Sequence, residues 1–279
     1  MCFMLKKIIS GGQIGAEQAA LDVALKLDIP HGGWIQKGRR TQNWSLPEKY
    51  KLKEMSTASY KKRIEQNVID SDGTLIISHG ELTGGSICSR EMTLKHQRPL
   101  LHVDLNQINT IPAAKLINAW ITLKPIEILN VTGSLASEDA RIYKTTIEIL
   151  ESAYHLSPLE NKALALDFVR DKRPTEVSSD PSDLPKTTAD AVDQLIAKLS
   201  LRDRTIIADL PPDDLAPLNL SLGVHIRSQL LQEGVNKELL ESCRPVSGND
   251  RPDLDRAAFL IIEKLWEKLQ KTHRLRVVK

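Results

Sequence analysis

The chain has 279 residues, 41% apolar and 27% charged, enough to bury one large core or two ordinary ones. Its 38 basic and 36 acidic side chains leave a formal charge of +2, and the balance is local: residues 1–186 hold 24 basic against 22 acidic, and residues 187–279 hold 14 against 14. With neither half basic and aromatics at only 4%, no nucleic-acid partner is expected.

Three cysteines, Cys2, Cys88 and Cys243, are widely spaced and form no CxxC pair, so the reading is a reducing, cytoplasmic setting without disulfides. The apolar run at the N-terminus is too short for a signal peptide and precedes its lysines. No stretch approaches the roughly 18 apolar residues of a membrane span, so no membrane partner is expected either.

In chain order, Leu5–Ile9 reads as a buried strand, Ser10–Gly15 as a tight glycine turn, and Ala16, Ala20, Val23 and Leu27 as one face of a helix. Ile29–Ile35 holds a short second strand. Thr74–Ser78 is a strand followed by a glycine turn at Thr83–Ser86 and a helix to about His96. Pro99–Val103 is a strand, Pro112–Leu123 a helix and Ile126–Val131 a last strand. A turn at Gly133–Ser137 leads into a helix with Tyr143, Ile147, Leu150 and Tyr154 on one face. This alternation implies an α/β fold, a Rossmann-like parallel sheet with helices on both faces, over residues 1–157.

Residues 158–186 read as a helix (Leu159–Arg170) and a polar linker with Pro174, Pro181 and Pro185. Residues 187–279 read as a small all-helical domain. One helix carries Ala191, Leu195 and Leu199, a second spans Leu218–Leu231, and a third carries Phe259, Ile262, Trp266 and Leu269. Pro211-Pro212 breaks the stretch between the first two.

Ligands of open parallel sheets gather at the carboxyl ends of the strands, where helix N-termini present N–H groups and about half a positive charge. Three turns belong there: Ser10-Gly11-Gly12-Gln13-Ile14-Gly15, Thr83-Gly84-Gly85-Ser86 with Ser86 placed to cap, and Asn130-Val131-Thr132-Gly133-Ser134. Their recurrence at one edge points to a shared anion site. In Gly32–Arg40, Lys37 and Arg39, bracketed by glycine (Gly38) and Trp34, are read as supplementary cations, and Arg40 as a solvated surface residue. Trp34 is placed to stack on a flat heterocycle, and Asp72 to position a ligand hydroxyl or to form the turn before Gly73. His31, His79, His96 and His102 are scattered without metal-ligand spacing, so no metal site is expected.

The segments 8–22 (IISGGQIGAEQAALD), Gly33–Arg39, Tyr60, Arg63–Val68, Asp70–Thr74, Leu82–Ser86 and Leu129–Gly133 together resemble the molybdenum carrier family, also called molybdenum cofactor carrier-like. The resemblance implies a Rossmann-like carrier that holds the phosphorylated pterin–molybdenum cofactor (molybdopterin), commonly as a homo-oligomer. That family belongs to a wider group that includes the cytokinin-activating phosphoribohydrolases. The chain departs from the family pattern at Ile14, Gln18, Gln36, 41–44 and 134–137, which removes a hydroxyl and guanidinium groups. Residues 187–279 are similar to a bacterial helical domain of unknown function through Leu222–Arg227 and Leu239–Cys243, which suggests a surface for a protein partner.

The reading that results is non-enzymatic binding of a phosphorylated small molecule, by resemblance the molybdenum cofactor. The ligand contacts would be Ser10, Gly11, Gly12, Gln13, Gly15, Trp34, Lys37, Gly38, Arg39, Asp72, Thr83, Gly84, Gly85, Ser86, Asn130 and Gly133. The alternatives are a nucleotide-sensing or nucleotide-cleaving protein, the latter with Glu91 as a phosphoribohydrolase-like carboxylate, and a degenerate scaffold.

Overall fold

The computed structural model describes residues 5–39, 41, 45–124, 126–156, 184–231, 236–243 and 254–273. They divide between two compact units, residues 1–158 and 159–279.

Among the described residues the first unit has seven strands: β1 (Lys7–Ile9), β2 (His31–Gly32), β3 (Trp34–Ile35), β4 (Lys53–Glu54), β5 (Gly73–Ser78), β6 (Leu100–Asp104) and β7 (Ile128–Gly133). Five make one parallel sheet in the order β2-β1-β7-β5-β6, with Ile8 level with Leu129 and Thr74 level with both Asn130 and Leu100. β3 and β4 form a separate parallel pair. Every residue of β5 is buried, as expected of a central strand covered on both faces, and Leu75, Ile76 and Ile77 lose all contact with solvent. Each such side chain contributes about 1.5–3 kcal/mol of burial free energy.

Helices cover both faces. α1 (Ala16–Lys26) packs on α5 (Ile142–His155), which packs on α4 (Thr110–Leu123), while α2 (Tyr60–Ile69) packs on α3 (Gly84–Lys95). Trp120 is buried in α4 as core. The chain runs from β1 outward to β2, and from β5 outward to β6, with β7 inserted between. The carboxyl ends of β1, β7 and β5 therefore lie at the point where the winding reverses, the usual crevice of an open α/β sheet.

The expected strand over Ile29–Ile35 is two short strands. Gly33, at φ +118°, turns the chain out of the main sheet, and a Cβ there would fall 2.2 Å from the Ser10 carbonyl oxygen. The segment 45–72, for which the sequence pattern predicts no element, supplies β4 and α2.

The second unit has its own core, from Ala191 to Leu269. Its helices are α6 (Thr188–Lys198), α7 (Leu201–Ala208), α8 (Leu222–His225), α9 (Lys237–Ser242) and α10 (Leu254–Thr272). A capping box between Thr187 and Asp190 starts α6, and Pro211-Pro212 closes the stretch after α7 and opens a 3-10 turn (Pro212–Asp214). The single helix expected over Leu218–Leu231 is instead a second 3-10 turn (Ala216–Leu220), α8 and a π turn (Ile226–Leu230), because Ser221 leaves helical geometry at φ −121°, ψ −75°. The expected helix Leu159–Arg170 and most of the proline-containing linker lie outside the described residues. No helix among the described residues is long and apolar enough to cross a membrane.

Candidate functional site

Because β1, β7 and β5 are neighbours, the turns that come after them lie side by side. The first and third are joined by backbone hydrogen bonds, Ala16 N–H to the Ser134 carbonyl (3.2 Å) and Ala136 N–H to the Ile14 carbonyl (2.8 Å). The third is tied to the β5 side three times: Ser134 N–H donates to the Ile77 carbonyl at 3.1 Å, Thr83 Oγ1 donates to Glu138 Oε2 at 2.9 Å, and His79 Nδ1 meets Asp139 Oδ2. Together they make one continuous rim along the carboxyl edge.

Beneath the first turn lies a buried ion pair. Arg63, from α2, is fully enclosed, and its Nη1 donates to Glu17 Oε2 at 2.9 Å. The same carboxylate accepts from Gln13 N–H at 2.9 Å, and through Oε1 from Thr132 Oγ1 at 3.2 Å. Burial alone would lower the Arg63 pKa, but Glu17 outweighs it and raises it, so the guanidinium stays charged. Its carbon lies 4.6 Å from the centre of the Tyr60 ring, and burial, with the Glu17 charge adding to it, pushes the Tyr60 hydroxyl up to about 12. Glu17 thus links β7, α2 and the glycine turn at one point and fixes the turn's backbone.

Ser10 donates its hydroxyl to the Val131 carbonyl, and Gln13 reaches Gln36 with Nε2 at 3.4 Å. Among the described residues, no hydrogen-bond partner stands opposite the N–H groups of Gly11 and Gly12, and Gly12 holds φ +78°. Both glycines are buried, and Leu46 and Leu52 stand against Gly12, so the two adjacent N–H groups lie beneath the 46–52 loop; successive backbone N–H groups can hold an anion. Gly15 pairs with Leu135, and Gly133 closes β7 against Ala16, so both glycines pack the rim together. The second turn opens α3. Its N-cap is Thr83, with no side-chain cap; Ser86, expected to cap, is buried in the first turn of the helix. Gly84 is exposed, and Gly85 packs against the Tyr60 hydroxyl.

Other expected contacts are placed elsewhere. Arg39 is engaged by backbone carbonyls. Its guanidinium donates to the carbonyls of Leu46, Leu52, Pro47 and Tyr50, at 3.0–3.4 Å, and so holds the 46–52 loop together. Gly38 N–H donates to Glu54, while Lys37 is exposed. Arg40 lies outside the described residues. The Trp34 indole donates to Asp70 and lies under Lys53, so its ring is braced against α2. Asp72 accepts from the Glu127 and Ile128 N–H groups at the amino edge of the sheet, opposite the rim, where it sets the start of β7. Asn130 is buried within β7, bonded to Thr74. Glu91 is exposed, two turns along α3 from Gly84, about 10 Å at 1.5 Å per residue. Gln18 reaches Tyr50, whose hydroxyl donates to Asp22.

The sequence pattern does not single out Glu17, Arg63, His79 or Asp139 as parts of the site. A buried pair 46 residues apart leaves no local pattern, and His79 stands out in the sequence only as one of several scattered histidines. Among the described residues no group of three or more His, Cys, Asp or Glu side chains could hold a metal ion. The pocket among Leu5, Val23, Leu27, Ile117, Leu150 and Tyr154 is apolar and belongs to the α1–α5–α4 layer, so it carries none of this chemistry.

The model of the Circularly permutated YpsA SLOG family matches residues 8–154, which include the whole rim. A solved structure from Syntrophus aciditrophicus SB, described as a "Putative molybdenum carrier protein", is 48% identical with a TM-score of 0.53; the match covers 55% of this chain and 96% of that one. No curated protein matches the chain.

Proposed function

This chain belongs to the Circularly permutated YpsA SLOG family, and from that premise we propose that it binds a phosphorylated small molecule of the nucleotide class along the rim formed by the first and second glycine turns. The observation that carries the reading is the pair of adjacent N–H groups at the buried Gly11 and Gly12 that meet no partner among the described residues, beside the Glu17–Arg63 pair at the point where the sheet winding reverses. A phosphate there is held by backbone donors and helix dipoles rather than by a lysine–arginine clamp, since Arg63 is engaged by Glu17 and Arg39 by carbonyls. The role is sensing or carrying rather than cleavage, since the carboxylate that cleavage would draw on, Glu91, lies about 10 Å along α3 from Gly84. Residues 187–279 then serve as the surface for a protein partner, and the bound unit acts as a homo-oligomer.

A second reading, the molybdenum cofactor, is favoured by the 48% identity to the Syntrophus protein. The backbone donors fit the phosphate that the pterin cofactor shares with nucleotides, and the molybdenum would be bound through the pterin rather than by side chains of the rim.

Mass spectrometry of small molecules released from the purified full chain tests both. A nucleotide or nucleotide derivative supports the first reading and molybdopterin the second. Recovery of only unphosphorylated molecules, with no binding of added nucleotides, removes both.

A further inference from the structure

α3 has two unlike sides. Ser89, Met92 and Thr93 are buried, and Cys88 and Met92 pack against Tyr60, Ile64 and Val68 of α2. At about 100° per residue, the side turned away from them carries Ile87, Arg90, Glu91 and Leu94, spaced i, i+3, i+4 and i+7 along one stripe. All four are exposed, Ile87 by 38% and Leu94 by 61%. Among the described residues Arg90 and Glu91 find no ion-pair or hydrogen-bond partner.

Single apolar residues on a surface need no explanation, but this stripe has an order. Ile87 and Leu94 form its middle line, with Arg90 on one flank and Glu91 on the other. Two copies of such a helix can meet face to face in two ways. Antiparallel, each flank meets its own kind, so Arg90 stands against Arg90 of the partner subunit. Parallel, about a two-fold axis that runs along the helices, the flanks are exchanged. Arg90 then meets Glu91 of the partner subunit, Glu91 meets Arg90 of the partner subunit, and the apolar line packs on its own copy. The stripe is complementary to itself in that one orientation.

We propose that this face of α3 binds the same face of a second copy of the chain, the two helices parallel, with Arg90 and Glu91 paired across the interface in both directions. The inference rests on the homo-oligomer proposed above and gives it a surface. Since α3 begins at the rim, both rims then open at the same end of the dimer. A contact of about two helical turns is small, so association is weak and depends on concentration.

Sedimentation equilibrium of the full chain over a wide concentration range tests it. The chain should pass from monomer to dimer, and Leu94→Lys should abolish the dimer. Arg90→Glu and Glu91→Arg each set like charges against each other across the axis, and each should weaken dimerisation about tenfold or more. An equimolar mixture of these two variants should associate again, because every pair across the interface then joins unlike charges. The double variant Arg90→Glu with Glu91→Arg should do the same. All these side chains are exposed, so the fold of each variant stays intact. A dimer that the variants leave unchanged, or single variants that do not recover on mixing, overturns this inference and leaves the homo-oligomer standing. A chain that is monomeric at every concentration overturns both.

Discussion

Arg63 Nη1 lies 1.2 Å from where the first side-chain atom of residue 11 would stand, so Gly11 is required by a buried arginine from another helix. Arg63 cannot swing aside, because Glu17 holds both its terminal nitrogens. Removing one partner of a buried pair leaves an uncompensated charge, at a cost of about 3–5 kcal/mol. Arg63→Met or Glu17→Gln should each lower the thermal midpoint of the first unit by about 10 °C or more. The double variant Glu17→Met with Arg63→Met should recover part of that loss while still impairing ligand binding, because Gln13 N–H and Thr132 Oγ1 lose their acceptor. Scanning calorimetry of the three variants checks this. Additive losses in the double variant would show that the two residues act separately.

Lys37 and Arg39 should part company. Arg39→Ala removes donors to four carbonyls of the 46–52 loop and should cost about 1–3 kcal/mol of stability. Lys37→Ala touches an exposed side chain and should change stability by less than about 1 kcal/mol. Urea titrations of the two variants make the comparison. Equal effects would mean that the carbonyl clip is unimportant.

Alkaline pH should loosen the first unit through Tyr60. Tyrosine in the unfolded chain ionises near 10, while burial and Glu17 hold Tyr60 at about 12. The raised value favours the neutral form in the fold. Its stabilisation is therefore complete below about pH 10 and is lost as pH rises toward about 12. Tyr50 and Tyr143 are shifted in the same direction, so the wild type keeps an alkaline limb of its own. Tyr60→Phe should make that limb shallower between pH 10 and 12. An identical limb in both proteins would exclude Tyr60 as a contributor.

Each unit should fold alone. The buried apolar residues of the first run from Ile8 to Ala153 and those of the second from Ala191 to Leu269. The second fragment should begin at 184 rather than 187, because the Pro185 carbonyl accepts from Asn236 at 2.8 Å. Fragments 1–157 and 184–279 should both unfold cooperatively; aggregation of both would point to a shared core.

The sheet is legible in the sequence because its buried parallel strands carry short apolar runs, Ile8-Ile9 in the first and Leu75-Ile76-Ile77 in the fifth, and because glycine turns come after both. α2 is not legible. Its sequence, Tyr60–Ile69, buries Arg63 and Asn67, and a charged and an amide side chain on the inner face erase the apolar period. For the same reason Arg39 reads as a ligand contact: sequence gives a cation's position but not the carbonyls that surround it. Asp72 resembles a ligand group by its neighbourhood to Gly73, yet strand direction puts it at the wrong edge. The His79–Asp139 pair joins residues 60 apart in sequence, and only the insertion of β7 beside β5 brings them together.

The most direct test of the anion site is a crystal structure of the full chain grown with adenosine monophosphate. The account predicts the phosphate within about 2.7–3.2 Å of the N–H groups of Gly11 and Gly12, or of the first turn of α3 at Gly84–Gly85. A phosphate bound against exposed lysines away from the carboxyl edge, with the glycine turns left to solvent, would contradict it.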